Sequence, residues 1–263
     1  MNIKEIRVQQ LIKTITKKDD LFHGNYTLDP YQNCEFGCIY CDSTLDNTVF
    51  VKTNAIEILK KELPTLTLGR IIIGSVHDPY QQVEQRFHST HNILAYLAQT
   101  DYPVHILTKS PTILNDVSLL RSIKKPLVTI TIIGLDDLFW KTIEQNAPSP
   151  IERLKVVKKL NEHHIKTGIA IIPTFPEFQD QHLEELIIKA KQYDASYVLF
   201  KSLFLQGSQK HSFLINIKET YPKIYQRYQN WFQQSQNPPQ DQIQKIDNKI
   251  KKLCREINLP TEI

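Results

Sequence analysis

The amino-acid sequence predicts an α/β protein, a partial (β/α)6 TIM-like barrel of parallel strands followed by a C-terminal helical extension. Short β-branched segments alternate with longer segments of helical periodicity, in about six β/α units. The β-branched segments are apolar almost continuously, which is typical of strands buried on both faces of a parallel sheet. Strict alternation with right-handed crossovers makes the sheet parallel.

The individual elements follow from these patterns. Strands are expected near 26–32 and at 70–76, 103–109, 127–134, 166–174 and 196–202. Helices are expected where apolar residues recur at three- and four-residue spacing, at 54–63, 87–99, 113–123, 150–163 and 182–193. The helix at 150–163 has the clearest start, because Ser149 is a good N-cap and Pro150 suits the first helical position.

Polar residues at the ends of the strands favour a barrel over a doubly wound sheet. Ser75, Lys109, Thr131 and Lys201 all stand at or just before the carboxyl end of a predicted strand. A doubly wound sheet concentrates its site at one switch point, whereas a barrel builds its site from the ends of many strands. We therefore expect the functional site at the carboxyl edge of the barrel.

The last part of the chain has a different character and is expected to form a helical extension, residues 211–263, after a barrel domain, residues 1–210. Aromatic residues recur at helical spacing (Tyr221, Tyr225, Tyr228 and Phe232), and a later apolar stripe runs along residues 243–257. Both patterns favour helices packed on the barrel. An aromatic-basic platform for nucleic acid is the alternative.

Composition and charge narrow the function only slightly. The chain has 263 residues and a formal net charge of +4, which permits a nucleic-acid partner without implying one. The sequence shows neither a signal peptide nor an apolar run long enough to span a bilayer, so we expect a cytoplasmic protein without a membrane partner. In a reducing compartment, clustered cysteines indicate a metal or redox site more than a disulfide framework.

Three of the four cysteines form the triplet Cys34, Cys38 and Cys41, spaced C-x3-C-x2-C. A structural zinc site needs four ligands, and His23 is the nearest candidate for a fourth. Three thiolates suit a [4Fe–4S] cluster whose remaining iron stays open for an exogenous ligand. Both sites remain alternatives on the spacing alone, and the iron–sulfur cluster is favoured.

The triplet and its surroundings resemble the radical S-adenosylmethionine (SAM) superfamily, and within it the branch that contains spore photoproduct lyase and shorter relatives. The resemblance rests on "DPYQNCEFGCIYC", "IIIGSVHDPYQQVE", "ILTKSPTILNDVSLL" and "IEQNAPSPIERLKVVKKL", in family order over roughly residues 25 to 175. It implies a [4Fe–4S] cluster on Cys34, Cys38 and Cys41, with SAM chelating the fourth iron.

The same resemblance implies the contacts to SAM. Tyr40 matches the aromatic residue whose backbone approaches the adenine, and Ser75 matches the position that meets the amino group. Lys109 matches the lysine that meets the carboxylate, a task suited to an ammonium point charge. Thr131 matches a hydroxyl that faces the ribose or the carboxylate. For each of these residues, an ordinary structural role is the alternative.

Other motif residues have less specific interpretations. Glu144 and Arg153 are expected to form a buried ion pair. Four polar residues after the predicted strand at 70–76 could bind substrate: His77, Asp78, Tyr80 and Glu84. An Asp-Pro turn is the favoured interpretation of this segment. Cys254 is expected to be a core residue, since it lies on the apolar stripe of the last helix.

The chain also departs from the family pattern. Phe36 stands where the family often has a histidine, and "IPTFPEF" lacks the usual glycine after the fifth strand. Residues 70–80 contain no cysteine, whereas spore photoproduct lyase carries a hydrogen-donor cysteine near its second strand. These departures bring adenine contacts in that segment, and repair by a cysteine donor, into question.

The resemblance implies a radical SAM enzyme that cleaves SAM reductively to a 5′-deoxyadenosyl radical, which abstracts hydrogen from an unidentified substrate. A DNA photoproduct repair lyase-like enzyme is one alternative, and a non-catalytic iron–sulfur or zinc module is another. The expected partners are an electron donor such as flavodoxin or ferredoxin and an unknown substrate, with nucleic acid as one candidate. No catalytic residue is assigned.

Overall fold

A computed structural model of the chain describes residues 1–44, 47–180 and 182–263. Its strands are β1 Asn2–Ile6, β2 Ile12–Thr14, β3 Tyr26–Leu28, β4 Tyr31–Gln32, β5 Thr48–Lys52, β6 Ile71–Ile73, β7 Val104–Thr108, β8 Leu127–Thr131, β9 Lys166–Thr174 and β10 Val198–Ser202. Its α-helices are α1 Ala55–Glu62, α2 Glu84–Phe87, α3 Ser89–Leu97, α4 Val117–Ser122, α5 Asp137–Ile143, α6 Pro150–Glu162, α7 Leu183–Gln192, α8 Gly207–Lys218, α9 Pro222–Trp231 and α10 Gln240–Glu256.

Seven strands form the main sheet, in the order β10-β9-β8-β7-β6-β3-β2. The six strands from β3 to β10 in this order run parallel, and β2 pairs with β3 in the antiparallel sense. This arrangement confirms the predicted partial barrel of six parallel strands. β2 is an additional edge strand that the sequence patterns did not indicate.

The apolar strand residues form one continuous core with the outer helices. Ile71, Ile106, Val128 and Ile130 are fully buried, together with Leu154 and Val157 of α6 and apolar residues of α3 and α7. Burial of this kind contributes roughly 1.5–3 kcal/mol for each large aliphatic side chain. The helix starts as the sequence predicts: the Ser149 side chain accepts a hydrogen bond from the Glu152 N–H in a capping box.

The lower part of the barrel interior holds a buried polar network. His105 Nε2 lies 2.7 Å from Thr129 Oγ1, which lies 2.8 Å from the Tyr197 hydroxyl. The Tyr197 hydroxyl also donates to the Val128 carbonyl oxygen at 2.8 Å. Gly168 is required beside this network, since a Cβ there would lie 2.4 Å from the Tyr197 ring. The floor of the barrel is therefore closed by side chains.

The predicted first strand at 26–32 is wrong as a single strand. Asp29 and Pro30 separate β3, which joins the main sheet, from β4, which joins a second sheet in the order β1-β5-β4. Proline donates no hydrogen bond to a sheet, which favours a break there. The sequence patterns missed β1 because most of its side chains are exposed and carry no apolar run.

The C-terminal helices cover the barrel from outside. Tyr228 and Phe232 are buried with Phe175, Phe178 and Phe213 in an aromatic core, which supports packing over the nucleic-acid platform. Cys254 on α10 is fully buried with the apolar stripe, as predicted. The domain boundary at residue 210 stays a prediction, and α8 runs through that position. Within the described ranges, no helix is long and apolar enough to cross a membrane.

Candidate active site

One cavity at the carboxyl edge of the barrel brings the seven predicted site residues together. Its volume is about 310 Å³. The lining includes all of the predicted cluster ligands and SAM contacts, namely Cys34, Cys38, Tyr40, Cys41, Ser75, Lys109 and Thr131. These residues come from the cluster loop (residues 33–43), the loop that follows β6 (residues 74–83, called the β6 loop), the end of β7 and the end of β8. The geometry therefore agrees with the expectation that sites form where parallel strands end.

The cluster loop, residues 33–43, is held by backbone hydrogen bonds to the segment after α5. The Ile39 N–H donates to the Ile143 carbonyl, and the Asn146 N–H donates to the Phe36 carbonyl, both at 3.0 Å. Cys38 pairs with Glu144 as an isolated antiparallel bridge. Gly37 has a φ of +63°, and a Cβ there would lie 2.9 Å from the Asn146 side-chain nitrogen. These contacts fix the shape of the cluster loop.

Two buried glutamines hold the same loop, and the sequence patterns did not single them out. Gln81 is fully buried; its Nε2 donates to the Asn33 carbonyl at 3.0 Å, and its Oε1 accepts from the Glu35 N–H at 2.9 Å. Gln209 on α8 donates from Nε2 to the Tyr40 carbonyl. Neither glutamine belongs to a motif whose chemistry points to this role, so only the folded structure identifies them.

The three thiols suit a cluster better than a single metal ion. Cys34 and Cys38 are buried and Cys41 is half-buried, and all three line the cavity. In the part of the chain that the structure describes, no three His, Cys, Asp or Glu side chains converge on one ion site, and His23 does not line the cavity. Because each cysteine of an iron–sulfur cubane binds a different iron, its thiols need not meet at one point. The donor set therefore fits an iron–sulfur cluster.

Electrostatics in the cavity favour the neutral thiols of Cys34 and Cys38 until a metal binds. Burial, followed by the Asp78 charge, raises the pKa of Cys34 to about 12. Burial also raises the pKa of Cys38, although the nearby Lys109 ammonium opposes the shift. Metal binding must displace these protons, since the thiolate is the ligand.

Lys109 stands at the end of β7 and is largely buried. Its Nζ lies 3.7 Å from Glu144 Oε1 and 5.9 Å from the centre of the Tyr40 ring. Burial alone would lower the pKa of Lys109, but a Cys38 thiolate and the Glu144 carboxylate beside it raise that pKa above its ordinary value. The side chain is therefore a fixed cation on the wall of the cavity.

Glu144 is the centre of the polar network behind Lys109. Its Oε1 accepts a hydrogen bond from the Tyr40 hydroxyl at 2.7 Å, and its Oε2 accepts one from Arg153 at 2.5 Å. Both members of the Glu144–Arg153 pair are completely buried, which confirms the predicted ion pair. Burial opposes ionisation, but Arg153 and Lys109 hold the pKa of Glu144 below its usual value. Arg153 also donates to the Thr131 carbonyl at 3.0 Å, so the network reaches β8.

Asp78 and Tyr80, which follow β6, form hydrogen bonds within the protein, in agreement with the favoured interpretation of an Asp-Pro turn. Asp78 accepts hydrogen bonds from the Thr108 hydroxyl and the Lys109 N–H, both at 2.7 Å, and from the Tyr80 N–H at 2.9 Å. The Tyr80 hydroxyl donates to Asp116 at 2.8 Å. Asp78 thus joins the β6 loop to the end of β7, on either side of the cavity.

The other two members of that set lie away from the cavity. Glu84 accepts from the Tyr31 hydroxyl and from the N–H groups at the start of α3, and His77 lines a different cavity. Asp29 was not predicted: its carboxylate accepts hydrogen bonds from the backbone of the β6 loop, including the Gly74 N–H at 3.2 Å. Asp29 therefore shapes the loop that presents Ser75.

The family model of the radical SAM superfamily matches residues 28–190 of the chain. The chain belongs to the radical SAM superfamily. Radical SAM enzymes use SAM and an iron–sulfur cluster, and the chain is an enzyme of this class. The matched segment runs from the end of β3 through most of α7, so it includes the cluster loop and the ends of β6, β7 and β8.

The relatives in sequence are uncharacterized proteins. One from Mycobacterium tuberculosis (strain ATCC 25618 / H37Rv) is 24% identical over 254 residues, covering 89% of this chain and 75% of the relative. One from Methanocaldococcus jannaschii is 28% identical over 243 residues, covering 88% of this chain and 90% of the relative. This radical SAM chain therefore has distant relatives in both a mycobacterium and a methanogen.

Solved structures with the same fold include enzymes of the superfamily. Spore photoproduct lyase complexed with dinucleoside spore photoproduct matches with a TM-score of 0.75 and 16% identity, covering 97% of this chain and 79% of that one. Streptococcus suis SuiB bound to SAM matches with a TM-score of 0.62 and 12% identity, covering 89% of this chain and 49% of that one. At these identities the likeness establishes the fold, in agreement with the predicted branch.

Proposed function

We propose that the chain binds a [4Fe–4S] cluster through Cys34, Cys38 and Cys41 and cleaves SAM reductively to methionine and a 5′-deoxyadenosyl radical that abstracts hydrogen from a substrate. The observation that carries this proposal is the convergence of all seven motif residues on one cavity. The residues are spread over 98 positions, from residue 34 to residue 131, and the proposed chemistry requires them together.

The cavity offers one group for each polar part of SAM. Lys109 is a fixed cation for the carboxylate, and Ser75 is an exposed hydroxyl for the amino group. Thr131 offers its hydroxyl at the end of β8. Arg153 donates a hydrogen bond to the backbone carbonyl of Thr131. The Tyr40 backbone is part of the cluster loop, and its hydroxyl donates a hydrogen bond to Glu144. Cys34, Cys38 and Cys41 would hold the cluster, which when bound and reduced would provide the electron for cleavage of the SAM sulfonium.

Apolar side chains also line the cavity, among them Leu21, Phe22, Leu107, Ala170 and Ile172. Excluding water protects a reactive radical from side reactions, and apolar side chains favour that exclusion. The cavity thus combines polar groups suited to SAM with apolar groups suited to hydrogen abstraction.

The substrate is a separate question, because the fold does not determine it. Spore photoproduct lyase is complexed with a dinucleoside photoproduct, whereas SuiB is bound to a precursor peptide. DNA photoproduct repair remains the second candidate, on the strength of the structural likeness to the lyase. A cysteine hydrogen-donor route does not fit this chain, since the fourth cysteine, Cys254, is buried on α10.

The test is direct. The protein is purified anaerobically, reconstituted with iron and sulfide, reduced with dithionite and incubated with SAM. We expect about four irons per chain, broad absorbance of a [4Fe–4S] centre, and formation of methionine and 5′-deoxyadenosine. A protein that binds zinc but no iron–sulfur cluster, or a loaded protein that leaves SAM intact under reduction, would refute the proposal.

A further inference from the structure

Lys201 on β10 lines the active-site cavity, and none of the proposed contacts to SAM uses it. The charged side chains of the lining are Asp78, Lys109 and Lys201. Lys201 is exposed, and it forms no salt bridge with any described residue. An exposed lysine is usually an ordinary surface residue, so its place in the barrel decides whether it has a task.

The strand periodicity places Lys201 on the inner face of the barrel. Side chains alternate along a strand. Tyr197, just before β10, belongs to the polar network at the barrel floor, and Leu199 packs beside it. Phe200, between the two inward positions, packs against the outer core instead. The register of β10 against β9 shifts between Phe200 and Ser202, and such irregularities often occur beside active sites.

β7 shows the same succession of layers from the floor to the mouth of the barrel. His105 belongs to the floor network, Leu107 lines the cavity, and Lys109 follows at the end of the strand. In the same way, Tyr197 and Leu199 precede Lys201 on the chain. The two lysines therefore occupy equivalent positions at the mouth, on strands that are separated by β8 and β9.

The protein compensates the charge of only one of these two lysines. Lys109 Nζ lies 3.7 Å from the buried carboxylate of Glu144. Asp78, the acid of the lining, accepts hydrogen bonds from the Lys109 N–H, from a threonine hydroxyl and from the Tyr80 N–H, so it is held on the β7 side of the cavity. Among the described residues, no carboxylate therefore pairs with Lys201.

Bound SAM does not supply the missing anion either. SAM has one carboxylate, for which Lys109 is the proposed partner. The other charges of SAM, on its ammonium and sulfonium groups, are positive, and they would repel a second ammonium group nearby. The charge of Lys201 is therefore best balanced by an anionic group on a second molecule in the cavity, and that molecule is the substrate.

Apolar side chains lie next to Lys201 along the inner face. Leu199 belongs to an apolar cluster against which Leu21, Phe22 and Ile172 pack, and these three residues also line the cavity. Such a surface favours the hydrocarbon part of a ligand. A cation at the mouth and apolar side chains below it thus suit a molecule with an anionic end and a hydrocarbon body.

We propose that Lys201 binds the anionic group of the substrate, and that the substrate is an organic anion, a carboxylate or a phosphate, whose hydrocarbon part packs on Leu21, Phe22 and Ile172. The proposal rests on the proposed function, because it names the substrate class of that same site. Lys201 stays protonated and takes no part in bond changes. Its task is to hold one end of the substrate, so that a C–H bond of the other part is positioned for abstraction.

The experiment measures the binding of small probes to the reconstituted full chain saturated with SAM and left oxidised, so that SAM occupies Lys109 and is not cleaved. The probes are phenylphosphonate, benzoate and the neutral benzamide, and calorimetry gives their affinities. The test variant is Lys201→Met, and Lys201→Arg retains the cation. The matched control is Lys158→Met, an exposed lysine on α6. SAM affinity and iron content are measured for every variant.

We expect the parent protein to bind at least one of the two anions at least tenfold more tightly than benzamide. Lys201→Met should lose at least tenfold in the affinity for that anion, because a hydrogen bond to a charged group is lost. Its affinities for benzamide and for SAM should stay within twofold of the parent values. Lys201→Arg and Lys158→Met should bind the anion within threefold of the parent protein. A preference for phenylphosphonate assigns a phosphate, and a preference for benzoate assigns a carboxylate.

Three results overturn the proposal: a parent protein that binds neither anion more tightly than benzamide, a Lys201→Met variant that binds the anion as well as the parent, or a Lys201→Met variant that loses SAM affinity, which would make Lys201 a SAM contact. Failure of the proposed function is a different result, because it is observed without any probe. In that case the parent protein, reduced with dithionite, would leave SAM intact.

Discussion

The ammonium group of Lys109 lies 3.7 Å from the carboxylate of Glu144, although 35 positions separate the two residues in sequence. The same oxygen of Glu144 accepts the Tyr40 hydroxyl, and the other oxygen accepts Arg153. One buried carboxylate thus joins the end of β7 to the cluster loop and to α6. The position of the proposed SAM-binding cation therefore depends on the same network that holds the loop of the proposed iron ligands.

Replacing Glu144 should damage stability and SAM binding together. Glu144→Gln removes the charge that compensates the fully buried Arg153, and breaking such a pair by removing one partner costs about 3–5 kcal/mol. Chemical denaturation and calorimetry with SAM measure the two effects. The control is Glu152→Gln, at the exposed capping box, which should cost about 1 kcal/mol or less. Equal losses in both variants would contradict the central role of Glu144.

Lys109→Ala should weaken SAM binding with little loss of iron. A hydrogen bond to a charged group contributes about 1.5–3 kcal/mol, which corresponds to roughly a ten- to hundredfold loss of affinity. The control is Lys201→Ala, because Lys201 lines the same cavity from β10 and has no assigned contact with SAM. Calorimetry on the reconstituted proteins measures both. Normal SAM binding by Lys109→Ala would remove Lys109 from the site.

The cysteines should divide into two groups. Alanine at Cys34, Cys38 or Cys41 should abolish or strongly reduce bound iron after reconstitution, because each is proposed to hold a separate iron. Cys254→Ala should keep its iron and lose only about 1 kcal/mol of stability, as expected for a small buried side chain on α10. Iron analysis and visible absorbance on all four variants decide the matter. Iron loss in Cys254→Ala alone would reverse the assignment.

The buried histidine of the barrel floor should make the protein less stable as the pH falls. Burial, reinforced by Arg70, lowers the pKa of His105 to about 3, below its ordinary value of about 6.5. Below pH 6.5 His105 becomes protonated in the unfolded chain but stays neutral in the folded chain. Stability is therefore lost from about pH 6.5 down to about pH 3.

The variant His105→Gln isolates this effect from the other titrating groups. Between pH 6 and pH 5, its free energy of unfolding should improve relative to the parent protein by about 1.2 kcal/mol. Asp29 and His77 titrate equally in both proteins, so they cancel in the difference. Urea denaturation at the two pH values provides the measurement, with the exposed His163→Gln as control. A pH-independent difference between His105→Gln and the parent would show that His105 is protonated in the folded protein.

Local sequence patterns predicted the parallel strands and most helices, and the resemblance carried by the motifs predicted seven site residues, which line one cavity. The apolar segments at 103–109 and 127–134 are strands because β-branched side chains buried on both sides favour that geometry regardless of the rest of the chain. Ser149 and Pro150 fix the start of α6 through hydrogen bonds within one turn. The cysteine triplet is likewise a local feature, whose spacing favours an iron–sulfur cluster and leaves a zinc site as the alternative.

Only the tertiary structure decided how these elements meet. The strand expected at 26–32 divides at Asp29 and Pro30 because its two halves find partners in different sheets, and no local pattern records a partner. Gln81 holds the cluster loop through two hydrogen bonds and Gln209 through one, to backbone atoms 46 to 169 residues away. The physical reason is that periodicity reports whether a side chain is buried, whereas the partner of a buried polar group depends on which distant segments the fold brings beside it.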